Sequence, residues 1–354
     1  MAHVIVNYPH IATASMMAQA LAESFPNLQT ENIQTPELNY VKISFVLGSN
    51  HKDTLVYNHV TGLKNALEPA HLLKLNRVSY SRYGNWLRRY RVHIVNQQVI
   101  AMARQNLTDA NTGKPLPAGR RDDISYFPVD TDDREATKVV ALVIRCLYAL
   151  GLDLGMVKVG VDSLYRLHVV DVEPAPALTK KTMQRYVKAL FRDATSQLTI
   201  DPQTIIMGTD PEFMLANTKS GALVPASYFF PRTGEVGCDN IRMPNRKHRP
   251  VAEFRPYPAS NPSSLVENLR KSMYKANRLA PYRNLKWVAG VMPLGYPIGG
   301  HIHFSGIPLT NHLLRALDNY LALPLSMLEP PRASRDRRRK YGLLGEFRLK
   351  SHGG

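Results

Sequence analysis

The stretch GGHIHFSG, Gly299 to Gly306, sets two histidines two residues apart in an apolar run behind paired glycines. In a strand this spacing turns His301 and His303 to the same face. Two readings stand: the pair grips a metal ion or a phosphate, or it sits in a tight β-corner. Around it the second half of the chain repeats one pattern. IIMGTDPEFML (205–215) puts Asp210 and Glu212 on one face of an apolar strand; PVAEFRPYPAS (250–260) does the same with Glu253 and Arg255, and YGLLGEFRLKSHGG (341–354) with Glu346 and Arg348. A lone acid in a strand is usually just an outward-facing residue. Four period-two pairs in strands fit for burial point further, because unpaired charge is expensive to bury. Carboxylates and imidazoles on a core-lined face suit Mg²⁺ or Mn²⁺ with positions left open for phosphate.

The whole chain bounds the problem. Its 354 residues exceed what one hydrophobic core commonly serves, so two domains are expected. The composition, 44% hydrophobic and 21% charged, is that of a globular protein. No apolar run approaches a membrane span, and MAHVIVNYPHIATASMMAQA lacks the form of a signal peptide, which points to a cytoplasmic protein. Two distant cysteines, Cys146 and Cys238, exclude a disulfide framework and a cysteine zinc site. Cys238 in VGCDN reads as a small buried residue rather than a nucleophile. The net charge of +17 favours polyanions as partners: nucleic acid, nucleotide phosphates or acidic polymers. The densest basic run, PRASRDRRRKYG (331–342), is either a solvated face, a phosphate clamp or a nucleic-acid patch.

Along the chain, HVIVNY predicts a strand and SMMAQALAESF a helix; YRVHIV and QVIAMAR predict a hairpin turning at Asn96 and Gln97. DTDDREATKVVALVIRCLYALGLDLG (130–155) is the clearest helix, with a capping-box-like start at Asp132 and Glu135 and a stop at Gly151. In RLHVVDVEPAPAL (166–178), Asp171 and Glu173 share a strand face. They are either a divalent-cation site or a pair of solvent-facing acids. A boundary falls near residue 200. Beyond it, Asn261 and Pro262 open a helix, and another runs over 313–329 with a break near Pro324.

The ordered motifs GTDPEFML, GCDN, VAEFRP, GGHIHFSG and the YG…GEFR…HG run resemble the phage-type COOH–NH2 ligases (amidoligase type 2), relatives of glutamine synthetase and glutamate–cysteine ligase. The resemblance covers roughly residues 205–354. It implies an antiparallel sheet whose concave face holds ATP and Mg²⁺ or Mn²⁺. Glu212, Glu253 and His301 would be metal ligands, with His303 in the same pocket. Arg255 and Arg348 would meet phosphate or a substrate carboxylate bidentately, Glu346 would join them in catalysis, and Asp239 would orient substrate. The family pattern continues beyond HG into a further strand, so either a C-terminally truncated domain or one lacking that terminal element is expected. The first half is similar to the C-terminal part of an ATP-grasp ligase, with Asp171 and Glu173 at its metal-binding strand. It shows no glycine-rich phosphate loop and little room for a first lobe before residue 90, which implies a reduced domain.

The expected fold is therefore α+β: a lead-in over 1–45, a reduced ATP-grasp-like domain over 46–200, and a glutamine-synthetase-like antiparallel sheet domain over 201–354. The expected activity is ATP-dependent amide formation between a carboxylate and an amine through an acyl phosphate, acting on an acidic peptide or polymer, with oligomerisation an option. Two rivals stand beside it. One is a catalytically decayed basic protein that binds nucleic acid or another polyanion, supported by the 331–342 run and by SRYGNWLRRYRVH (81–93). The other is a metal-dependent hydrolase using His301, His303 and Glu253, which lacks a helical HExxH.

Overall fold

The computed structural model describes residues 2–26, 30–35, 40–47, 54–107, 133–244, 247–338 and 341–349. Asp132, Arg339, Lys340 and the closing His352–Gly353 pair lie outside them. The fold is α+β, as expected, and the backbone divides into two compact units: Met1–Thr199 with Leu309–Asn311, and Ile200–Pro308 with His312–Gly354.

In the first unit, strands β1 (Ala2–Tyr8), β2 (Thr30–Thr35), β3 (Tyr40–Leu47) and β4 (Thr54–Tyr57) form one sheet in the order β2-β3-β1-β4. Helix α1 (Ile11–Ser24) follows β1. β1 pairs antiparallel with β3 and parallel with β4. β3 runs across residue 45, and hydrogen bonding makes β1 an inner strand of that sheet. Two short helices, α2 (Val60–Leu67) and α3 (Ala70–Leu75), lead to the antiparallel sheet β6-β5-β7-β8. Its strands are β5 (Arg88–Val95), β6 (Gln98–Asn106), β7 (Leu154–Val161) and β8 (Leu167–Glu173). Asn96, at φ 53°, takes the left-handed position of the β5–β6 turn, which asparagine tolerates.

Helix α4 (Arg134–Leu150) begins one residue later than its sequence signature suggests. Asp133 caps it, accepting from the N–H groups of Glu135 and Ala136. Gly151 ends it at φ 78°. Its stripe of Val139, Val143, Cys146, Leu147 and Leu150 packs on Val92, Ile94, Val157 and Val159. Helix α5 (Lys180–Leu198), capped by Thr179, packs Met183, Tyr186, Val187 and Leu190 against Val4, Val6 and Tyr8. The aromatic–arginine stretch 81–93 is divided: Arg82, Tyr83 and Arg89 are exposed, while Trp86, Tyr90 and His93 are buried. Trp86 is buried against Gly160, where a Cβ would fall 2.4 Å from its ring. Arg88 and Tyr90 both bind Glu135.

His93 on β5 is 6% exposed, and its Nδ1 meets Tyr186 Oη at 3.2 Å. Tyr186 donates its hydroxyl hydrogen to Gly155 O, so the imidazole Nδ1–H is the donor to the Tyr186 hydroxyl. Burial, helped by the Arg91 cation, pushes its pKa down to about 4. A base with a depressed folded pKa contributes fully above its unfolded value near 6.5, and stability is lost as pH falls from there towards 4. Urea unfolding at pH 7 and pH 4.5 is expected to differ by up to ~3 kcal/mol through this residue. His93→Gln should flatten that part of the pH profile.

The second unit holds β9 (Ile206–Thr209), β10 (Glu212–Asn217), β11 (Leu223–Val224), β12 (Val236–Cys238) and β13 (Val251–Phe254). Helix α6 (Pro262–Leu279) precedes β14 (Leu285–Val288) and β15 (Ile302–Ser305). Then come α7 (Asn311–Leu317), a π-helical stretch Asp318–Ala322, α8 (Leu323–Leu328) with Pro324 in its first turn, and α9 (Pro331–Arg338). Asn261 caps α6 by accepting from Ser264 N, with Pro262 at the first position. The main sheet runs β11-β10-β13-β12 with β14 also on β10, all antiparallel; β9 and β15 pair separately. One face of the main sheet presents Phe213, Leu215, Cys238, Ala252 and Phe254 to a core shared with Ala276 and Ala280. The opposite face carries the charged residues.

Candidate active site

Three strands meet in register at the charged face: Glu212 on β10 lies opposite Glu253 on β13, which lies opposite Gly237 on β12. Gly237 is glycine for a steric reason. The Arg255 guanidinium lies over it, and a Cβ there would sit 2.2 Å from Nη1. Arg255 binds the Glu253 carboxylate and donates to Cys238 O and Gly234 O, both at 3.3 Å. The expected Glu253/Arg255 pairing on one face is thus a direct ion pair. Asp239, just past β12, accepts from Ile241 N at 3.1 Å.

Glu212 accepts from Gly299 N at 2.8 Å, and its own N–H donates to Gly299 O. Burial pushes the Glu212 carboxyl up against the opposing Gly299 hydrogen bond, and the charges of Asp239 and Glu253 add to the rise. Glu253 is also raised, by burial first; the Arg255 cation opposes this, and Asp210 and Asp239 reinforce it. Burial and crowded negative charge outweigh the ion pair.

Asp210 and Glu212 do not lie on one strand as the period-two pattern suggests. Pro211, which has no N–H and restricts the residue before it, separates β9 from β10. Asp210 becomes the hub of the histidines instead. It accepts from His301 N at 2.5 Å, His301 Nδ1 at 3.1 Å and His303 Nε2 at 3.0 Å. Burial raises its pKa, but these hydrogen bonds win and hold it down at about 2. The same contact raises His301, with burial and the Arg348 cation opposing. His301 and His303 do share a face, and both spend a ring nitrogen on Asp210. A cavity of about 390 Å³ is lined by Asp210, Glu253, Arg255 and His303 together with Met207 and Pro258.

Other expected residues stand elsewhere. Glu346 and Arg348 are not on a strand: 341–349 is irregular backbone with Gly342 and Gly345 at positive φ. Glu346 turns back onto its own loop, accepting from Gly342 N at 2.6 Å and Leu343 N at 2.9 Å. Arg348 is exposed, its charge felt at His301. Asp171 and Glu173 share a face of β8 as expected, but in the first unit both bind Lys158, whose ammonium stands where a divalent cation would. Cys238 is buried, donates to Phe230 O and has its pKa raised by burial. Among the described residues no three His, Cys, Asp or Glu side chains gather into a metal centre by themselves, and no helix is long and apolar enough to cross a membrane. Arg337, which the sequence offers only as part of the 331–342 basic run, donates from Nε to Ile298 O at 2.8 Å.

An α+β chain with a carboxylate-bearing antiparallel sheet is the class these features define. Residues 207–354 match the family model described as phage phiEco32-like COOH.NH2 ligase-type 2, which bears out the resemblance read from the motifs. No curated protein matches the chain. Among solved structures, the ATP-grasp ligase PsnB complexed with a minimal precursor is 10% identical, over 55% of this chain and 98% of that one, at a TM-score of 0.33. The macrocyclase MdnC of Microcystis aeruginosa MRC, bound with precursor peptide MdnA, is 8% identical over 54% and 100%, at 0.34. An L-amino acid ligase from Bacillus licheniformis is 9% identical over 65% and 74%, at 0.27.

Proposed function

We propose that the second unit is an ATP- and Mg²⁺-dependent carboxylate–amine ligase. The observation that carries this reading is the row Glu212–Glu253 beside Arg255, of which Glu253 and Arg255 line a cavity with Asp210 and His303, within the stretch matched by the ligase family model. The donor set fits the ion. Two carboxylates face each other across one register position, both with raised pKa from burial and neighbouring negative charge. A divalent cation relieves that repulsion, and Mg²⁺ characteristically takes one or two protein carboxylates together with phosphate oxygens and water.

Mg·ATP would supply the γ-phosphoryl group to a substrate carboxylate, with ADP leaving, and an amine attacking the acyl carbon would displace inorganic phosphate and lose a proton to give the amide. The chain's own residues bind and orient. Arg255, held by Glu253 and backbone carbonyls, meets oxyanion charge at the cavity wall. Asp210 fixes the orientation of both imidazoles. His301, more than half exposed, and Arg348 face incoming anionic groups, and Asp239 orients substrate beside Glu253. The surplus of +17 favours an acidic peptide or polymer as substrate. The first unit then serves as a reduced, ATP-grasp-like support whose Asp171 and Glu173 are satisfied by Lys158. The rival polyanion reading loses part of its basis, because Arg337 and Arg338 are engaged within the second unit.

The test is the melting temperature with and without Mg·ATP. A ligand at a hundredfold excess over its Kd stabilises the native state by ~2.7 kcal/mol, so a Mg²⁺-dependent rise is expected. A flat response in well-folded protein would sink the proposal.

A further inference from the structure

Arg337 comes from the basic run that the function above leaves unused, yet it does not behave as a solvated cation. It is half-buried at the end of α9 and pairs with no carboxylate among the described residues. Its Nε donates to Ile298 O, and Nη2 lies so close over Gly299 that a Cβ there would fall 2.0 Å from it. The neighbouring Arg338 anchors that helix end, bound to Glu329 at 3.1 Å and to Gly342 O at 2.7 Å.

The turn beneath Arg337 is gripped from its other side as well. Ile298 is buried with Met214 and Val251. Gly299 exchanges two 2.8 Å hydrogen bonds with Glu212: its N–H meets the carboxylate, and its carbonyl accepts the Glu212 N–H. Gly300 backs onto Pro211, where a Cβ would lie 2.8 Å from the proline Cα. The paired glycines are therefore closely approached on two sides: Gly299 by the flexible end of the arginine, and Gly300 by the backbone ahead of β10, where only the latter leaves no room for a side chain.

We infer that Arg337 is a positioning residue: it clamps the Ile298–Gly300 turn onto β10, so that the Gly299 N–H holds the Glu212 carboxylate in place for a divalent cation. The role of Glu212 rests on the ligase reading; the clamp itself does not. A group that orients a metal-binding carboxylate typically changes metal affinity about 10- to 100-fold when lost.

Two variants remove the clamp from opposite directions. Arg337→Ala deletes the guanidinium. Gly299→Ala displaces it with a methyl group, and Gly299 is not among the positive-φ glycines, so alanine tolerates its backbone. Each is compared with the full wild-type chain by hydrogen exchange of peptides spanning Ile298–Gly300 and by titration with Mn²⁺ alone. Both variants are expected to exchange that turn at least about tenfold faster and to bind Mn²⁺ about tenfold more weakly, with circular dichroism unchanged. Arg337→Lys, which keeps one donor for Ile298 O, should return part of the protection. Unchanged exchange in Arg337→Ala overturns the clamp whatever Mn²⁺ does. Faster exchange with unaltered Mn²⁺ affinity overturns its link to Glu212. If wild type binds no Mn²⁺, the cation role of Glu212 falls, while exchange still decides the clamp.

Discussion

Glu253→Gln is expected to abolish the Mg·ATP-dependent rise in melting temperature while leaving the unliganded protein folded. The substitution keeps the shape of the side chain and removes the charge that a divalent cation needs. Losing one of two carboxylate donors leaves Glu212 alone opposite a neutral amide. The fold tolerates the change for reasons visible at the site. Arg255 loses its ion pair but keeps acceptors at Cys238 O and Gly234 O, and its side chain is 35% exposed. The lost pair also relieves repulsion from Asp210 and Asp239, the neighbours that help raise Glu253. The net change in unliganded stability is expected within ~1 kcal/mol. Differential scanning fluorimetry with and without Mg·ATP checks both halves. A variant that still responds like wild type removes Glu253 from the site.

Much of this site is legible in the sequence because burial imposes a period. Glu253 and Arg255 stand two apart with Phe254 between them, and alternation alone puts the charges on one face and the ring in the core. Asp171 and Glu173 follow the same rule around buried Val172, whereas His301 and His303, with exposed Ile302 between them, are brought together by Asp210. Caps are equally plain: Asn261–Pro262 and Gly151 mark helix ends by local chemistry.

Alternation fails where the backbone stops being a strand. Pro211 stands between Asp210 and Glu212, and a proline inside a strand pattern signals the break that makes Asp210 the histidine partner. Gly342 and Gly345 similarly mark a turn, and with it the inward fold of Glu346. Lys158 facing Asp171 depends on strand pairing across a hairpin, so a favourable pair looks like a cation site until the register is known. Arg337 has no local signature. Its contact with Ile298 spans 39 positions and arises from where α9 ends.

The other large effect concerns the floor beneath the carboxylates. Phe213 sits between Glu212 and Met214 on β10 and points away from the charged face. It is 3% exposed, stacked on Phe254 at 4.5 Å and Trp287 at 4.9 Å, with Phe230 edge-on at 5.8 Å. Phe213→Ala removes the ring common to those three contacts. Core truncations of this kind cost about 3–5 kcal/mol, and this position belongs at the upper end because each aromatic pair adds about 0.5–1.5 kcal/mol beyond burial. With a urea slope of about 2 kcal/mol/M, the midpoint of the transition reported by Trp287 should fall by roughly 2 M. Trp287 touches Phe213 directly, so its emission reads the layer that is disrupted. Phe213→Leu keeps apolar volume in the gap and is expected to retain most of the stability and the Mg·ATP response. The contrast separates two roles of the strand: the ring supplies the packing that keeps β10 in register with β13, and that register brings Glu212 opposite Glu253. A Phe213→Ala protein less than ~1 kcal/mol weaker than wild type would mean that the strands hold this register without the aromatic layer.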